Sequence, residues 1–143
     1  MDFAGINYLA VLLAAIAGFV FGAGYYGVLS KAWMKAGRID PVQAKPGAAI
    51  LGITFGAELV MAWALAGVIG HLGTGEVTLA NGIVSGFFVW LGFMVTIMAV
   101  NHRYQSYGWD LTAIDGGHWL GVALIMGAVI GWLSIGDPSV SPS

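Results

Sequence analysis

The chain has 143 residues, of which 59% are hydrophobic and only 8% are charged, and its mean hydropathy is +0.87. Soluble domains carry about 25% charged residues, so water is not the main solvent for this surface. The formal net charge of −2 implies no nucleic-acid partner, and the absence of cysteine excludes disulfides and thiolate sites. The composition therefore predicts a protein whose main partner is the lipid bilayer.

Four apolar segments predict four transmembrane helices, because a helix of about 20 residues crosses a hydrocarbon core of ~30 Å. No positive charge precedes the first segment, so we interpret it as a retained span and not as a signal peptide. Lipid offers the backbone no hydrogen-bond partner, so such segments form helices despite their many glycines. The predicted fold is an all-α, four-helix transmembrane bundle, one domain over residues 1–143, with spans at about 6–29, 48–69, 79–100 and 117–135 and a tail at 136–143.

The basic residues predict the orientation of the helices. They fall only in the connections at 30–47 and 101–116, which four crossings place on the same side of the membrane. Cytoplasmic loops carry the excess of Lys and Arg, so both connections are expected in the cytoplasm and both termini in the periplasm. The residues counted are Lys31, Lys35, Arg38, Lys45 and Arg103.

Two prolines shape the prediction for the first connection. Pro41 and Pro46 disfavour helix at the residues before them, so residues 30–47 are expected to kink and re-enter instead of forming a long helix. Trp33 is expected at the headgroup level, as part of an aromatic belt.

Each predicted span contains two glycines four residues apart. This spacing places both on one helix face, where neighbouring backbones approach closely. We predict helix packing at Gly18, Gly22, Gly52, Gly56, Gly82, Gly86, Gly127 and Gly131.

Glu58 is an acid near the middle of an apolar span, where an ionised carboxylate costs about 2.5–3.5 kcal/mol. At 100° per residue it lies away from the Gly52 and Gly56 face, on a face with Thr54, Ala62 and Leu65. No basic residue is expected in a membrane core. We therefore expect Glu58 to be neutral at pH 7 and hydrogen-bonded to Thr54, to Trp90 or to a partner chain.

Polar residues cluster at the expected cytoplasmic ends of the third and fourth spans: Asn101, His102, Asp110, Asp115 and His118. Asp115 and His118 are three apart, so on a helix they share a face and would suit an acid–base pair or two metal ligands. The favoured interpretation is structural, because Thr112 to Asp115 fits a capping box at a helix start. No catalytic residue, metal site or cofactor is predicted.

Several short motifs occur in order along the chain: Asn7 to Leu12, Gly22 to Tyr26, Lys31 to Met34, Trp90 to Phe93, Asn101, Ile114 with Asp115, Trp119 with Leu120, and Met126 to Ala128. Together they resemble a bacterial integral membrane family, the domain of unknown function 1761. The chain differs from the family pattern at Gly24-Tyr25-Tyr26, where Trp-Tyr is common, and at His118, where Tyr is common. The resemblance implies a four-helix membrane protein without an established activity, and it assigns no catalytic residue.

These observations favour a non-enzymatic protein of the inner membrane that acts through helix packing, as a homo-oligomer or as an accessory subunit of a larger complex. The alternative is a small carrier in which Glu58 binds a proton or a cation. A membrane enzyme that uses Asp115 and His118 is a third and weaker interpretation.

Overall fold

The computed structural model describes residues 5–73 and 75–134. In these residues the chain is all-helical and has no strand, and four helices are long and apolar enough to cross a membrane. This confirms the predicted fold class. The helices are α1, Tyr8–Gly37; α2, Ala48–Gly70; α3, Leu79–Tyr104, which contains a π-helical turn at Trp90–Met94; and α4, Trp109–Leu133.

The first helix is longer than predicted, and the expectation that residues 30–47 form a kinked loop is wrong for the first eight of these residues. Residues 31–36 are good helix formers, and the first proline comes only at Pro41, so nothing stops the helix before Gly37. Arg38 then adopts a left-handed conformation, with φ 54°, and its N–H bonds to Lys35 O. This is a common way to end a helix.

The second polar connection is also shorter than predicted. α3 continues to Tyr104 and α4 begins at Trp109, so only residues 105–108 connect them, where 101–116 was expected. Gly108 is the residue before the first turn of α4. The predicted capping box is therefore wrong, because Thr112 and Asp115 lie inside the helix. Side-chain caps occur instead at the starts of α1 and α3, where Asn7 and Thr78 accept bonds from Ala10 N and Asn81 N.

α4 packs against α1 and α3, and glycines make the second of these contacts possible. Gly82 and Gly127 face each other so closely that a Cβ on either would meet the backbone carbonyl of the other. Gly86 similarly faces the Ala123 carbonyl, and Gly131 faces that of Thr78. The α3–α4 contact is thus a contact between backbones, as the glycine spacing predicted.

The remaining predicted packing glycines divide between α1 and α2. Gly18 and Gly22 lie against side chains of α2 and α4. Gly52 and Gly56 have no such neighbours, because a Cβ on either would meet nothing within 4 Å. Among the described residues, neither glycine packs against another helix of the same chain.

The bundle has two sides, which we name by their connections. The loop side carries residues 38–47 and 105–108, and the hairpin side carries residues 71–73 and 75–78. The apolar core lies toward the hairpin side, and its buried members are Val11, Ala14, Ala15, Ala62, Leu65, Ala66, Ile69, Val122, Met126 and Ile130.

The outer surface of the bundle is apolar. Large hydrophobic side chains are exposed along every helix, among them Val20, Ile53, Phe88 and Trp132. Such a continuous apolar exterior is unusual for a protein in water but suits a lipid environment.

Candidate functional site

A cavity of about 660 Å³ occupies the loop-side half of the bundle. Its walls come from the second half of α1, the first half of α2, the start of α4 and part of the connection 38–47. The space exists because α2 leaves the bundle toward the loop side: no residue between Ala48 and Ala57 is buried, whereas five of those from Glu58 onward are. The cavity therefore ends where the apolar core begins.

Glu58 lies at this boundary. It is ten residues into α2, or about 15 Å from the helix start at 1.5 Å per residue. Its side chain is only 1% exposed, and its Oε2 lies beside Gly18, near Met126 and Val122. Among the described residues this oxygen has no hydrogen-bond partner. Glu58 is thus an acid at the inner end of the cavity, and one oxygen of its carboxyl group has no hydrogen-bond partner among the described residues.

The hydrogen-bond partners predicted for Glu58 are engaged elsewhere. Thr54 Oγ1 donates to Ile50 O at 2.8 Å, and Trp90 Nε1 donates to Gly116 O at 2.8 Å. The prediction is therefore wrong for both side chains. The predicted face of α2 is correct, because Ala62 and Leu65 are buried together with Glu58.

His118 lies inside the membrane span and not at its end, which corrects both its predicted place and the expectation that no basic residue occupies a membrane core. It is nine residues into α4 and 4% exposed. Gly22 of α1 leaves room for its ring, because a Cβ there would stand 2.7 Å from Nε2. Its Nδ1 has no hydrogen-bond partner among the described residues. The cavity thus holds a second buried polar group without a partner.

Asp115 lies one turn closer to the loop side and also lines the cavity. The hydroxyl of Tyr26 on α1 donates to Asp115 Oδ1 at 2.7 Å. Asp115 Oδ2 lies 3.7 Å from Nε2 of His102, and Nδ1 of His102 lies 2.9 Å from Thr112 Oγ1. These contacts connect the cavity to the end of α3. Asn101 is exposed and does not line the cavity.

Aromatic side chains form much of the cavity wall. Phe19, Tyr26, Trp33 and Trp119 all line it. The rings of Tyr26 and Trp33 lie 5.3 Å apart, and the ring of His118 lies 4.6 Å from those of both Tyr26 and Trp119. Sequence reasoning missed this wall, since Trp33 was assigned to an aromatic belt. The available signal was the helical spacing of Phe19, Gly22, Tyr26, Ser30 and Trp33 along one face of α1.

No Lys or Arg lines the cavity, although all five lie on the loop side. Arg38 donates to Ser106 O at 2.6 Å and lies over the Tyr107 ring. Arg103 donates to Gly108 O at 2.7 Å and to Thr112 Oγ1 at 2.9 Å. Both guanidinium groups are thus held at the connection 105–108, away from the residues that line the cavity.

Metal binding has no structural support in residues 5–73 and 75–134. No three His, Asp or Glu side chains there are grouped as ligands for an ion. Asp115 and His118 share the cavity, as their spacing predicted, but a metal would need at least a third protein ligand there.

The sequence profile of a family described as "Protein of unknown function (DUF1761)" matches residues 9–131. No curated protein and no solved structure matches the chain. The matched range contains all four helices except the first residue of α1 and the last two of α4, so it includes the whole cavity.

Proposed function

Since the chain belongs to the DUF1761 family, whose function is unknown, we propose a function from the cavity itself: a non-enzymatic carrier that binds a proton or a cation at Glu58. One observation carries this proposal. An acidic side chain that is 1% exposed and has a bare oxygen lines a cavity of about 660 Å³. Ionisable residues inside a membrane span are expensive to maintain, and they commonly mark the route of a proton or an ion.

The surroundings of Glu58 suit uptake and release of a proton. Across the cavity it faces Tyr26 from α1 and Asp115 and His118 from α4. The part of α3 that approaches α2 on the hairpin side, residues 79–89, has no titratable side chain. No Lys or Arg is present to hold the carboxylate permanently ionised by a salt bridge. No salt bridge therefore fixes the charge on Glu58, and this charge can change when a proton or a cation enters the cavity.

Infrared titration of the chain in proteoliposomes tests this function. We expect a protonated carboxyl band that disappears reversibly as the bulk pH is raised, and this band should be absent from Glu58→Gln. Glu76→Gln is the matched control, because Glu76 lies exposed on the hairpin-side connection and its loss should leave the band unchanged. A buried carboxyl band that does not respond to bulk pH, or that persists in Glu58→Gln, contradicts the carrier.

We further propose that the loop side faces the cytoplasm of a bacterial inner membrane and that both termini face the periplasm. The hydrogen bond from Arg38 to Ser106 supports a common side for the two basic connections, and the excess of Lys and Arg supports the cytoplasm. A periplasm-specific reporter fused after Ser143 should be active. Activity of only a cytoplasm-specific reporter at this position would reverse the orientation.

A second candidate function is helix packing between chains, as a homo-oligomer or with a larger membrane complex. The observation that favours it is the open face of α2, where Gly52 and Gly56 have no neighbour among the described residues. Close approach of helices at small residues is the usual means of association in lipid. Light scattering in mild detergent tests it: Gly52→Leu should lower the mass of the assembly, and a wild-type monomer contradicts the homo-oligomer.

A further inference from the structure

The cavity is much larger than a proton or a metal ion requires. Its volume of about 660 Å³ lies within the range of about 300–1,000 Å³ that is typical of sites for small organic molecules. We propose that it binds a protonated organic amine with an apolar body, whose nitrogen lies beside Glu58. This inference rests on the proposed function, because it specifies the cation that the carrier takes.

The sign of the charge follows from the cavity lining. Besides the Tyr26 phenol, its ionisable side chains are the two acids Glu58 and Asp115 and the single base His118, with no Lys or Arg. An anion would meet two carboxyl groups and no permanent positive charge. A cation would meet the same two carboxyl groups as pairing partners, in a low-dielectric environment where charge pairing is strong. The cavity therefore selects a positive ligand over a negative one.

The preference for an amine follows from the two buried atoms without partners. Glu58 Oε2 and His118 Nδ1 have no hydrogen-bond partner among the described residues, and each such group carries a free-energy penalty. An ammonium group has three N–H donors and no acceptor. Both atoms are buried, so the ammonium would donate to the Glu58 carboxylate, and to His118 in the tautomer that leaves Nδ1 free to accept, after rotation of these side chains exposes them to the cavity.

The aromatic side chains of the cavity wall indicate that the amine has an apolar body. Tyr26 and Trp33 are in ring contact, and His118 continues this contact toward the floor of the cavity. Trp119 contacts His118 from the other side. Indole and phenol faces attract cations and also shield apolar groups from water. The wall thus fits the carbon skeleton of the amine between the loop side and Glu58.

Calorimetric titration of the full chain in an uncharged detergent tests the proposal. The probes are 2-phenylethylamine, its neutral isostere 2-phenylethanol and the anion 3-phenylpropanoate, all at one neutral pH. We expect saturable binding of the amine, binding of the alcohol at least tenfold weaker, and no binding of the anion. This comparison uses the wild-type protein, so it does not depend on the folding of any variant.

Two variants locate the site. Glu58→Gln should weaken amine binding at least tenfold, because the charge is lost while the length of the side chain is kept. Trp33→Leu should weaken it by roughly 2–13-fold, the range expected for one aromatic contact with the phenyl ring of the probe. Trp132→Leu is the matched control, since this indole is 66% exposed near the hairpin-side end of α4, and it should change nothing.

The outcomes separate this inference from the proposed function. Equal binding of the amine and the alcohol would show an apolar pocket and overturn the inference. Absence of saturable amine binding would overturn it as well. If the Glu58 carboxyl band still responds to bulk pH in that case, the proton carrier stands without the organic ligand. If that response is absent too, both proposals fail.

Discussion

Gly82→Ala is expected to destabilise the bundle by about 1–3 kcal/mol or more, the usual cost of overpacking a tight contact. The added methyl group would collide with the backbone carbonyl of Gly127, and a carbonyl within a helix does not move aside as a flexible side chain does. α3 and α4 would have to separate along the whole contact that Gly86 and Gly131 extend. Thermal unfolding in detergent, followed by size-exclusion chromatography, measures the loss.

Gly24→Ala is the control, with the identical chemical change at an exposed position of α1. Because a Cβ at Gly24 meets nothing within 4 Å, only the helix preference of alanine remains, and it stabilises by at most about 1 kcal/mol. The two substitutions should therefore shift the melting temperature in opposite directions. Equal destabilisation by both would mean that the α3–α4 contact is not tighter than the exposed surface of α1, which contradicts the structure.

Glu58→Met is expected to stabilise the protein by about 1–3 kcal/mol, the cost of a buried polar group without a hydrogen-bond partner. Methionine has a similar length and would fill the same space beside Gly18, Val122 and Met126 without a bare oxygen. Such a gain is unusual for a substitution at a fully buried position, where most changes destabilise. The same variant should lose amine binding, so stability and function would move in opposite directions.

Leu65→Met is the control for this variant. Leu65 lies two turns along the same face of α2 and is 5% exposed, within the apolar core. Its exchange for methionine should change the stability by less than about 1.5 kcal/mol and should not raise it as Glu58→Met does. If Glu58→Met instead destabilises the protein, then Glu58 has a stabilising partner in the folded state, which contradicts a carboxyl oxygen without a hydrogen-bond partner.

The four spans could be predicted from the sequence because hydropathy over about 20 residues depends on composition alone. The helix ends could not. α4 begins at Trp109, eight residues before the predicted start, because the backbone hydrogen bonds of a helix also form at polar residues such as Asp110 and Asp115. This error placed His118 at a membrane boundary, although it is buried nine residues inside the helix.

The site could be predicted only in part for a similar reason. Glu58 is visible in the sequence because it is an acid among apolar residues, and the face it shares with Leu65 follows from helical geometry. Which faces meet depends on the rotation of every helix in the bundle. Gly52 and Gly82 have the same glycine spacing, yet only Gly82 meets a neighbouring backbone. The contact between Tyr26 and Asp115 likewise joins residues 89 positions apart.

That separation in sequence has a consequence for the order of events during synthesis. α1 leaves the ribosome before α4, but the acceptors for Tyr25 and Tyr26 are Ile114 O and Asp115 on α4. At about 5–20 residues per second, α1 waits on the order of ten seconds in the membrane before α4 arrives. During this interval its two phenols have no native partner from the chain. α1 therefore enters the membrane before its contacts with α4 can form, and the four-helix bundle is complete only after α4 has been inserted.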